Sequence, residues 1–215
     1  MSSTTAVVTG AARGIGFEFA RQLADRGHRV VLTDIDQEAV ASAAATIGRG
    51  AVGMVQDVRE IASHDEVARQ AGKLAPLGIW VNNAGVLVAG NSWEHRDEEL
   101  ATILDVNVRG VMAGSAAAVR AMGTRGGTIL NVASLSALTP VPGLALYAAT
   151  KAATLSYTTS LAGDLRQAGL PIRVRALCPD VVGTQMVTSH AADPAAATPS
   201  PAPSCSPRSR WRARG

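Results

Sequence analysis

The most constraining feature of this sequence is a short apolar run that stops at a glycine and gives way to helical periodicity. Ala6-Val7-Val8-Thr9 has the β-branched, apolar character of a buried parallel strand. Gly10 ends the run, and apolar residues then recur at helical spacing from Ile15 to Leu23. A strand, a glycine turn and a helix in this order bring backbone N–H groups to a helix N-terminus, where they can bind a phosphate.

The glycine turn itself favours one class of ligand. Gly10 permits a tight turn, while Gly14 and Gly16 let the backbone approach a cofactor pyrophosphate and let the helix pack on the strand. The spacing is GxxxGxG, and the lysine that a Walker loop needs does not follow it. We therefore predict that this loop binds a dinucleotide, with the cofactor-binding residues Gly10, Arg13, Gly14, Ile15 and Gly16.

Strand-like and helix-like segments alternate along the rest of the chain. We predict further strands at 29–34, 51–55, 79–81, 127–132 and 171–177. We predict helices at 37–47 and 63–73, a helical stretch through 100–108, and a last helix that ends at about residue 167. Such alternation favours a doubly wound, Rossmann-like α/β fold with one parallel sheet in a single domain. Ligands of such a fold bind at the carboxyl ends of the strands.

Tyr147 and Lys151 form a candidate acid/base pair. Residues four positions apart lie on the same face of a helix, although this spacing alone occurs by chance on many helices. A phenol titrates at about pH 10. A nearby ammonium group favours the phenolate and lowers the pKa of the phenol. We therefore expect Tyr147 to move a proton and Lys151 to tune the pKa of Tyr147.

Five motifs occur in one order along the chain and together identify a family. They are Thr9-Gly10-Ala11-Ala12-Arg13-Gly14-Ile15-Gly16, Asn82-Asn83-Ala84-Gly85, Asn107, Ser134 and Tyr147-xxx-Lys151. With these motifs the chain resembles the short-chain dehydrogenase/reductases, single-domain oxidoreductases that use NAD(H) or NADP(H). The resemblance runs from about Thr5 to Met186. It implies reversible hydride transfer between a nicotinamide and a secondary alcohol or ketone.

The resemblance implies a role for each candidate catalytic residue. Ser134 would donate a hydrogen bond to the substrate oxygen, with Ser136 as a competitor that stands two residues out of register. Tyr147 would give or take the proton, and Lys151 would bind the nicotinamide ribose. Asn107 would hold a water that continues the proton relay, the alternative being a purely structural hydrogen bond of a buried amide. No His–carboxylate pair or GxSxG elbow accompanies Ser134, which argues against hydrolase chemistry.

The resemblance also extends cofactor binding beyond the glycine loop. Asp57 would contact the adenine amino group, and Val58 would pack on the adenine ring. Asn83, Ala84 and Gly85 follow a predicted strand, and their backbone would lie near the cofactor ribose.

A later stretch of the chain departs from the family pattern. Pro179 and Thr184 match a segment that would close over the nicotinamide, with Thr184 bonding the carboxamide. Asp180 stands where the family has a glycine. We expect its side chain to strain that turn.

The choice between the two cofactors depends on two opposing signals. Asp34 ends the second predicted strand, where a carboxylate accepts hydrogen bonds from ribose hydroxyls and repels a 2′-phosphate. Arg13 is the opposite signal, since family members that prefer NADP(H) often carry a basic residue in the glycine loop. We expect the acid to prevail, so that NAD(H) is the cofactor and NADP(H) the alternative. Asp36, two residues later, is predicted to cap the next helix.

The loops expected around the substrate are apolar. Their residues are Val86, Leu87, Val88, Trp93, Leu135, Leu138, Val141 and Leu144. This composition favours a small, uncharged alcohol or ketone as the substrate.

Charge and composition exclude other partners. Residues 1–190 hold 16 basic and 16 acidic side chains, so the net charge of +3 comes from residues 191–215. Nothing therefore argues for nucleic acid as a partner.

The sequence has no apolar run long enough to span a bilayer and no signal segment, which predicts a cytoplasmic protein. Cys178 and Cys205 lack the spacing of a metal site or a CxxC motif, and we expect no metal.

The C-terminal residues depart from the family. We predict a catalytic domain at 1–190 and a disordered tail at 191–215, because five of the ten prolines fall between 194 and 207. The family's last helix and seventh strand would then be absent, and the homo-oligomer that the family implies is in doubt. The alternative to an active enzyme is accordingly a cofactor-binding scaffold or truncated product with impaired catalysis.

Overall fold

Six parallel strands form the centre of the protein in the computed structural model, which describes residues 4–180. The strands are β1 (Thr5–Thr9), β2 (Arg29–Asp34), β3 (Val52–Val55), β4 (Leu77–Asn82), β5 (Gly127–Val132) and β6 (Ile172–Leu177). Their order across the sheet is β3-β2-β1-β4-β5-β6. The chain runs outward from β1 to β3 and then returns to place β4 on the other side of β1. A crevice between the carboxyl ends of β1 and β4 follows from this reversal, and the predicted doubly wound fold is confirmed.

Helices cover both faces of the sheet. They are α1 (Gly14–Asp25), α2 (Gln37–Ile47), α3 (Ile61–Leu74), α4 (Asp97–Leu104), α5 (Gly110–Met122) and α6 (Ala145–Gln167). Helices α1 and α2 pack on one face, whereas α3, α5 and α6 contribute to the core on the other face. The predicted cap of α2 is confirmed, since the Asp36 Oδ1 accepts a hydrogen bond from the Ala39 N–H at 3.0 Å.

Strand β1 supplies side chains to both cores, which explains its continuous apolar character. Ala6 and Val8 belong to the core on the α1 side, while Val7 between them belongs to the core on the α3 side. Successive side chains of a strand point to opposite faces, so a strand buried on both faces needs apolar residues at every position. All five residues of β1 are buried.

A π-helix, Asp105–Arg109, joins α4 to α5. The Gly110 N–H donates to the Asp105 carbonyl, five residues earlier, which is the bond that defines this wider turn. The sequence predicted helical structure here but not the change of pitch. Asn107 stands in the middle of the π-helix and is fully buried, and its carbonyl accepts a hydrogen bond from Thr154 Oγ1 of α6 at 3.0 Å.

A buried polar cluster links β4, β5, α5 and α6. The Asn82 Nδ2 donates to the Asn131 Oδ1 at 2.8 Å and to the Ser115 Oγ at 3.0 Å. The Trp80 Nε1 donates to the Asn82 Oδ1 at 2.7 Å, and the Asn131 Nδ2 donates to the Thr158 Oγ1 at 2.9 Å. These mutual bonds satisfy polar groups that would otherwise be costly to bury.

Some of the predictions concern residues outside the described part of the chain. They are the role of Thr184, the tail at 191–215, the domain boundary at residue 190, and Cys205.

Candidate active site

Tyr147 and Lys151 lie in the first two turns of α6, as their spacing predicted. The Lys151 side chain is buried, and its Nζ lies 5.6 Å from the centre of the Tyr147 ring. The same Nζ donates a hydrogen bond to the Val132 carbonyl at the end of β5, at 2.9 Å. The ammonium group is therefore held between α6 and the carboxyl end of the sheet, beside the phenol.

The pKa of Tyr147 moves in the opposite direction to the one expected from the sequence. Burial raises the pKa of the Tyr147 phenol, and a hydrogen-bonding interaction with Ser134 opposes this shift only in part. Burial also lowers the pKa of Lys151 to about 8. The expected lowering of the Tyr147 pKa is thus wrong for the described chain, because removal from water disfavours the charged form of both groups.

Ser134 lies just beyond β5 and caps a short turn of 3-10 helix, Leu135–Ala137. Its Oγ accepts a hydrogen bond from the Ser136 N–H at 3.2 Å and lies 3.0 Å from the Ser136 Oγ, which donates to it. The interaction of Ser134 with the Tyr147 phenol places both hydroxyl groups at one point of the site. Ser136 is thus a hydrogen-bonded neighbour of Ser134, and the choice of Ser134 as the site serine stays a prediction.

Asn107 connects the loop after β4 to α6. The Asn107 Oδ1 accepts a hydrogen bond from the Val86 N–H, and its Nδ2 donates to the Val86 carbonyl, both at 2.8 Å. The Nδ2 also donates to the Thr150 Oγ1 at 3.1 Å. These bonds match the structural alternative for this amide, while its part in a proton relay stays a prediction. A Cβ at Gly85 would lie 3.3 Å from the Asn107 Oδ1 and 3.4 Å from the Lys151 Nζ, so this loop passes close to both.

The crevice between β1 and β4 holds the glycine loop against the Asn82–Gly85 stretch. Gly10 has a φ of +61°, and a Cβ there would lie 2.6 Å from the Ala84 Cα, so only glycine fits. The Asn83 Nδ2 donates to the carbonyls of Thr9 and Gly10 at 2.9 and 2.8 Å. Thr9 in turn accepts hydrogen bonds at its Oγ1 from the N–H groups of Asn83 and Ala84. The Asn83 side chain therefore holds the glycine loop in place. The predicted contact of Asn83 with a cofactor would have to be made by its backbone.

The N-terminus of α1 can receive an anion. Arg13 is its N-cap residue and makes no side-chain capping hydrogen bond, and the first turn carries no acidic residue. Gly14 and Ile15 open the helix, and Gly16 is buried against the Asn83 side chain and the Gly10 carbonyl. N–H groups at a helix start that no side chain caps are suited to a phosphate.

Asp34 lies beside this loop and accepts two hydrogen bonds from the backbone. Its Oδ2 accepts a hydrogen bond from the Ala12 N–H at 3.1 Å, and its Oδ1 accepts one from the Asp36 N–H at 3.3 Å. Arg13 is exposed and borders an open cleft of about 450 Å³ between α1 and α2, which Phe17 and Ser42 also line. Asp34, which favours NAD(H), and Arg13, which favours NADP(H), are thus both placed at the glycine loop.

Asp57 and Val58 follow β3. The Asp57 carboxylate accepts hydrogen bonds from the Arg59 side chain at 2.9 and 3.0 Å, which holds the pKa of Asp57 below its usual range. Val58 is buried and lines a narrow cleft together with Ala84 and Gly110. Their predicted contacts with adenine remain predictions.

Pro179 lies beside the short turn that follows Ser134. Its carbonyl accepts a hydrogen bond from the Leu135 N–H at 2.9 Å. Asp180 does not have the strained backbone that we expected, because Arg49 is the only non-glycine residue with a positive φ within residues 4–180. Thr184 lies outside the described residues.

Four large apolar side chains, here called the apolar rim, are exposed to solvent. Trp93 is 79% exposed and Leu138 is 64% exposed, and Leu135 and Val141 are also exposed. These residues belong to the loops after β4 and β5, as the sequence predicted.

Several residues that support the site were not predicted. Thr150 and Thr154 hold Asn107 to α6, and Thr9 holds the backbone after β4. The available signal was a hydroxyl or amide side chain inside an otherwise apolar strand or helix face, because buried polar groups need partners.

No helix within the described part of the chain has the length and apolar character needed to cross a bilayer. No group of three or more His, Cys, Asp or Glu side chains is placed to hold a metal ion within residues 4–180.

Comparison with known proteins agrees with this architecture. Residues 4–195 match the family model described as short chain dehydrogenase. The chain is 34% identical over 188 residues to 3-beta-hydroxysteroid dehydrogenase of Comamonas testosteroni, covering 87% of this chain and 74% of that protein.

Solved structures show the same relationship. A short chain dehydrogenase/reductase from Burkholderia phymatum in complex with NAD has a TM-score of 0.84 and 33% identity, over 90% of this chain and 71% of that one. Actinorhodin polyketide ketoreductase with NADPH has a TM-score of 0.82 and 31% identity, over 87% of this chain and 74% of that one. On the family-model match and these likenesses, the chain belongs to the short-chain dehydrogenase/reductase family.

Proposed function

We propose that this protein is an oxidoreductase that transfers a hydride between NAD(H) and a small, uncharged secondary alcohol or ketone. The observation that carries the proposal is the convergence of Tyr147, Ser134 and the buried Lys151 at the carboxyl end of β5. A phenol, a second hydroxyl and an ammonium group at one point can bind a carbonyl oxygen and move a proton to it.

The crevice residues fit a nicotinamide dinucleotide. The helix start of α1, which no side chain caps, suits the pyrophosphate, and the fixed Asp34 carboxylate suits the ribose hydroxyls. We assign the remaining contacts to residues around the crevice: Gly10, Arg13, Gly14, Ile15, Gly16, Asp57, Val58, Asn83, Ala84, Gly85, Tyr147, Lys151, Pro179 and Thr184. When bound, the nicotinamide would supply or accept the hydride.

The side chains of the chain itself would handle the proton. In the reducing direction Ser134 donates a hydrogen bond to the substrate oxygen, and Tyr147 gives its proton to that oxygen as the carbonyl becomes an alcohol. Oxidation runs the same transfer backwards, with the proton returning to Tyr147. Lys151 donates one hydrogen bond to the Val132 carbonyl, and its other N–H groups remain to bind the ribose and to stabilise a phenolate. Asn107 holds the Val86 loop and α6 in place, and its part in a proton relay stays a prediction.

The preference for NAD(H) rests on the fixing of Asp34. Two backbone N–H groups orient its carboxylate, so it cannot turn away from a 2′-phosphate without losing those bonds. Arg13 is exposed and long, and it is the residue through which NADP(H) would bind. The apolar rim of Trp93, Leu138 and their neighbours supports an uncharged substrate.

The test is an assay of NADH oxidation against a panel of ketones, comparing the protein with Tyr147→Phe. We expect turnover to fall by about 10²-fold or more, the usual effect of losing a general acid, while NADH binding is retained. Tyr157→Phe is the matched control, because Tyr157 is the other tyrosine and lies on the same helix. Turnover in Tyr147→Phe above about a tenth of the original would refute the assignment. NADH binding without turnover in the unmodified protein would instead select the scaffold alternative.

A further inference from the structure

The hydroxyl group of Ser134 accepts two hydrogen bonds, and both come from Ser136. The Ser136 N–H donates to the Ser134 Oγ at 3.2 Å, and the Ser136 Oγ donates to the same atom at 3.0 Å. A serine hydroxyl can accept two hydrogen bonds and donate one. Ser136 therefore fills both acceptor positions of Ser134 and leaves it a single role, that of donor.

We propose that Ser136 is a positioning residue that fixes Ser134 as a hydrogen-bond donor to the substrate oxygen, an inference that rests on the proposed function. A hydroxyl free to rotate would direct its proton at the substrate for only part of the time. With both acceptor positions filled, the proton points away from Ser136, toward the side of the site where Tyr147 lies. A hydroxyl that accepts hydrogen bonds is also polarised into a stronger donor.

The second hydrogen bond is not needed to build the turn. The 3-10 turn is held by backbone bonds from Ala137 N–H to the Ser134 carbonyl at 3.0 Å and from Leu138 N–H to the Leu135 carbonyl at 2.9 Å. Leu135 N–H is bonded to the Pro179 carbonyl as well. Removing the Ser136 hydroxyl should therefore leave the backbone in place and change only the direction of the Ser134 proton.

The experiment is a double-mutant cycle on Ser134 and Ser136, read as kcat/KM for ketone reduction. We expect Ser136→Ala to lower kcat/KM about threefold to tenfold, the range for one neutral hydrogen bond. Ser136→Thr keeps the hydroxyl and should restore most of the rate. Adding Ser136→Ala to Ser134→Ala should cause no further loss, because the effect of Ser136 acts through Ser134.

The same cycle is read a second time on the titration of Tyr147, which needs no turnover. In a Tyr157→Phe background Tyr147 is the only tyrosine, and its ionisation can be followed by tyrosinate absorbance. Ser136→Ala should raise the Tyr147 pKa when Ser134 is present and leave it unchanged in the Ser134→Ala background.

Two results would overturn the proposal. One is an unchanged kcat/KM in Ser136→Ala, and the other is a loss of the same size with and without Ser134. Failure of the proposed function is recognised separately, because the unmodified protein would then show no ketone reduction, while the titration of Tyr147 could still be read. Unfolding curves of each variant guard against a general loss of structure.

Discussion

Replacing Asn107 with alanine removes the amide at the centre of the π-helix. This side chain is fully buried and makes three hydrogen bonds, two to the backbone of Val86 and one to Thr150. At about 1 kcal/mol of net stability for each bond, Asn107→Ala should lower the free energy of unfolding by about 3 kcal/mol. A change of 1 kcal/mol corresponds to about 2–4 °C in Tm for a domain of this size, so Tm should fall by about 6–12 °C.

Urea unfolding followed by circular dichroism measures this loss. Asn91→Ala is the matched control, since Asn91 is exposed and its Nδ2 donates to the exposed Glu94 carboxylate. Its effect should stay within about 0.5 kcal/mol. If Asn107→Ala cost less than about 1 kcal/mol, or no more than Asn91→Ala, the three bonds would contribute little and the reasoning would be refuted.

The other predictions concern Lys151, Asp34 and the tail. Because burial lowers the folded-state pKa of Lys151 to about 8, the unfolded chain binds more protons between about pH 8 and 10. The protein should therefore gain stability relative to Lys151→Met as pH rises through that window, and a flat difference between their unfolding curves would contradict this. NADH should bind more tightly than NADPH in fluorescence titrations, and Asp34→Ala should narrow or reverse the gap; tighter NADPH binding by the unmodified protein would mean that Arg13 prevails. Deleting residues 191–215 should leave the dissociation constant of NADH nearly unchanged, because the described contacts of the glycine loop and Asp34 lie within residues 4–180. A tenfold change in that constant would show that the tail takes part in NADH binding.

The six strands and the whole of α2 could be predicted because they depend on local patterns. The predicted bounds of β2, α2 and β5 match the observed ones. Strand β4 is longer than predicted, from Leu77 rather than from Ile79, because its first residues pair with β1 through an irregular register that periodicity cannot show.

Features that depend on tertiary contacts could not be predicted in this way. The apolar spacing of Leu100, Ile103 and Leu104 is the same for an α-helix that continues and for one that widens at Asp105. The direction of the Tyr147 pKa shift depends on how deeply α6 is buried, which the Tyr147–Lys151 spacing does not contain. From the sequence, Ser136 was an alternative to Ser134 as the site serine. Only the distance between their oxygens shows that the two side chains are hydrogen-bonded to each other.

The pairing of Asn82 with Asn131 also determines how β4 and β5 can come together during folding. The two residues are opposite each other in the observed alignment, and their amides join on the buried face with Trp80, Ser115 and Thr158. A slip of one residue would turn one amide to the other face of the sheet and leave its former partners without a hydrogen bond. Each buried polar group left unpaired would cost about 1–3 kcal/mol. Misaligned sheets are thereby disfavoured, and the strands that lead into Asn83 and Ser134 end at the same edge of the sheet.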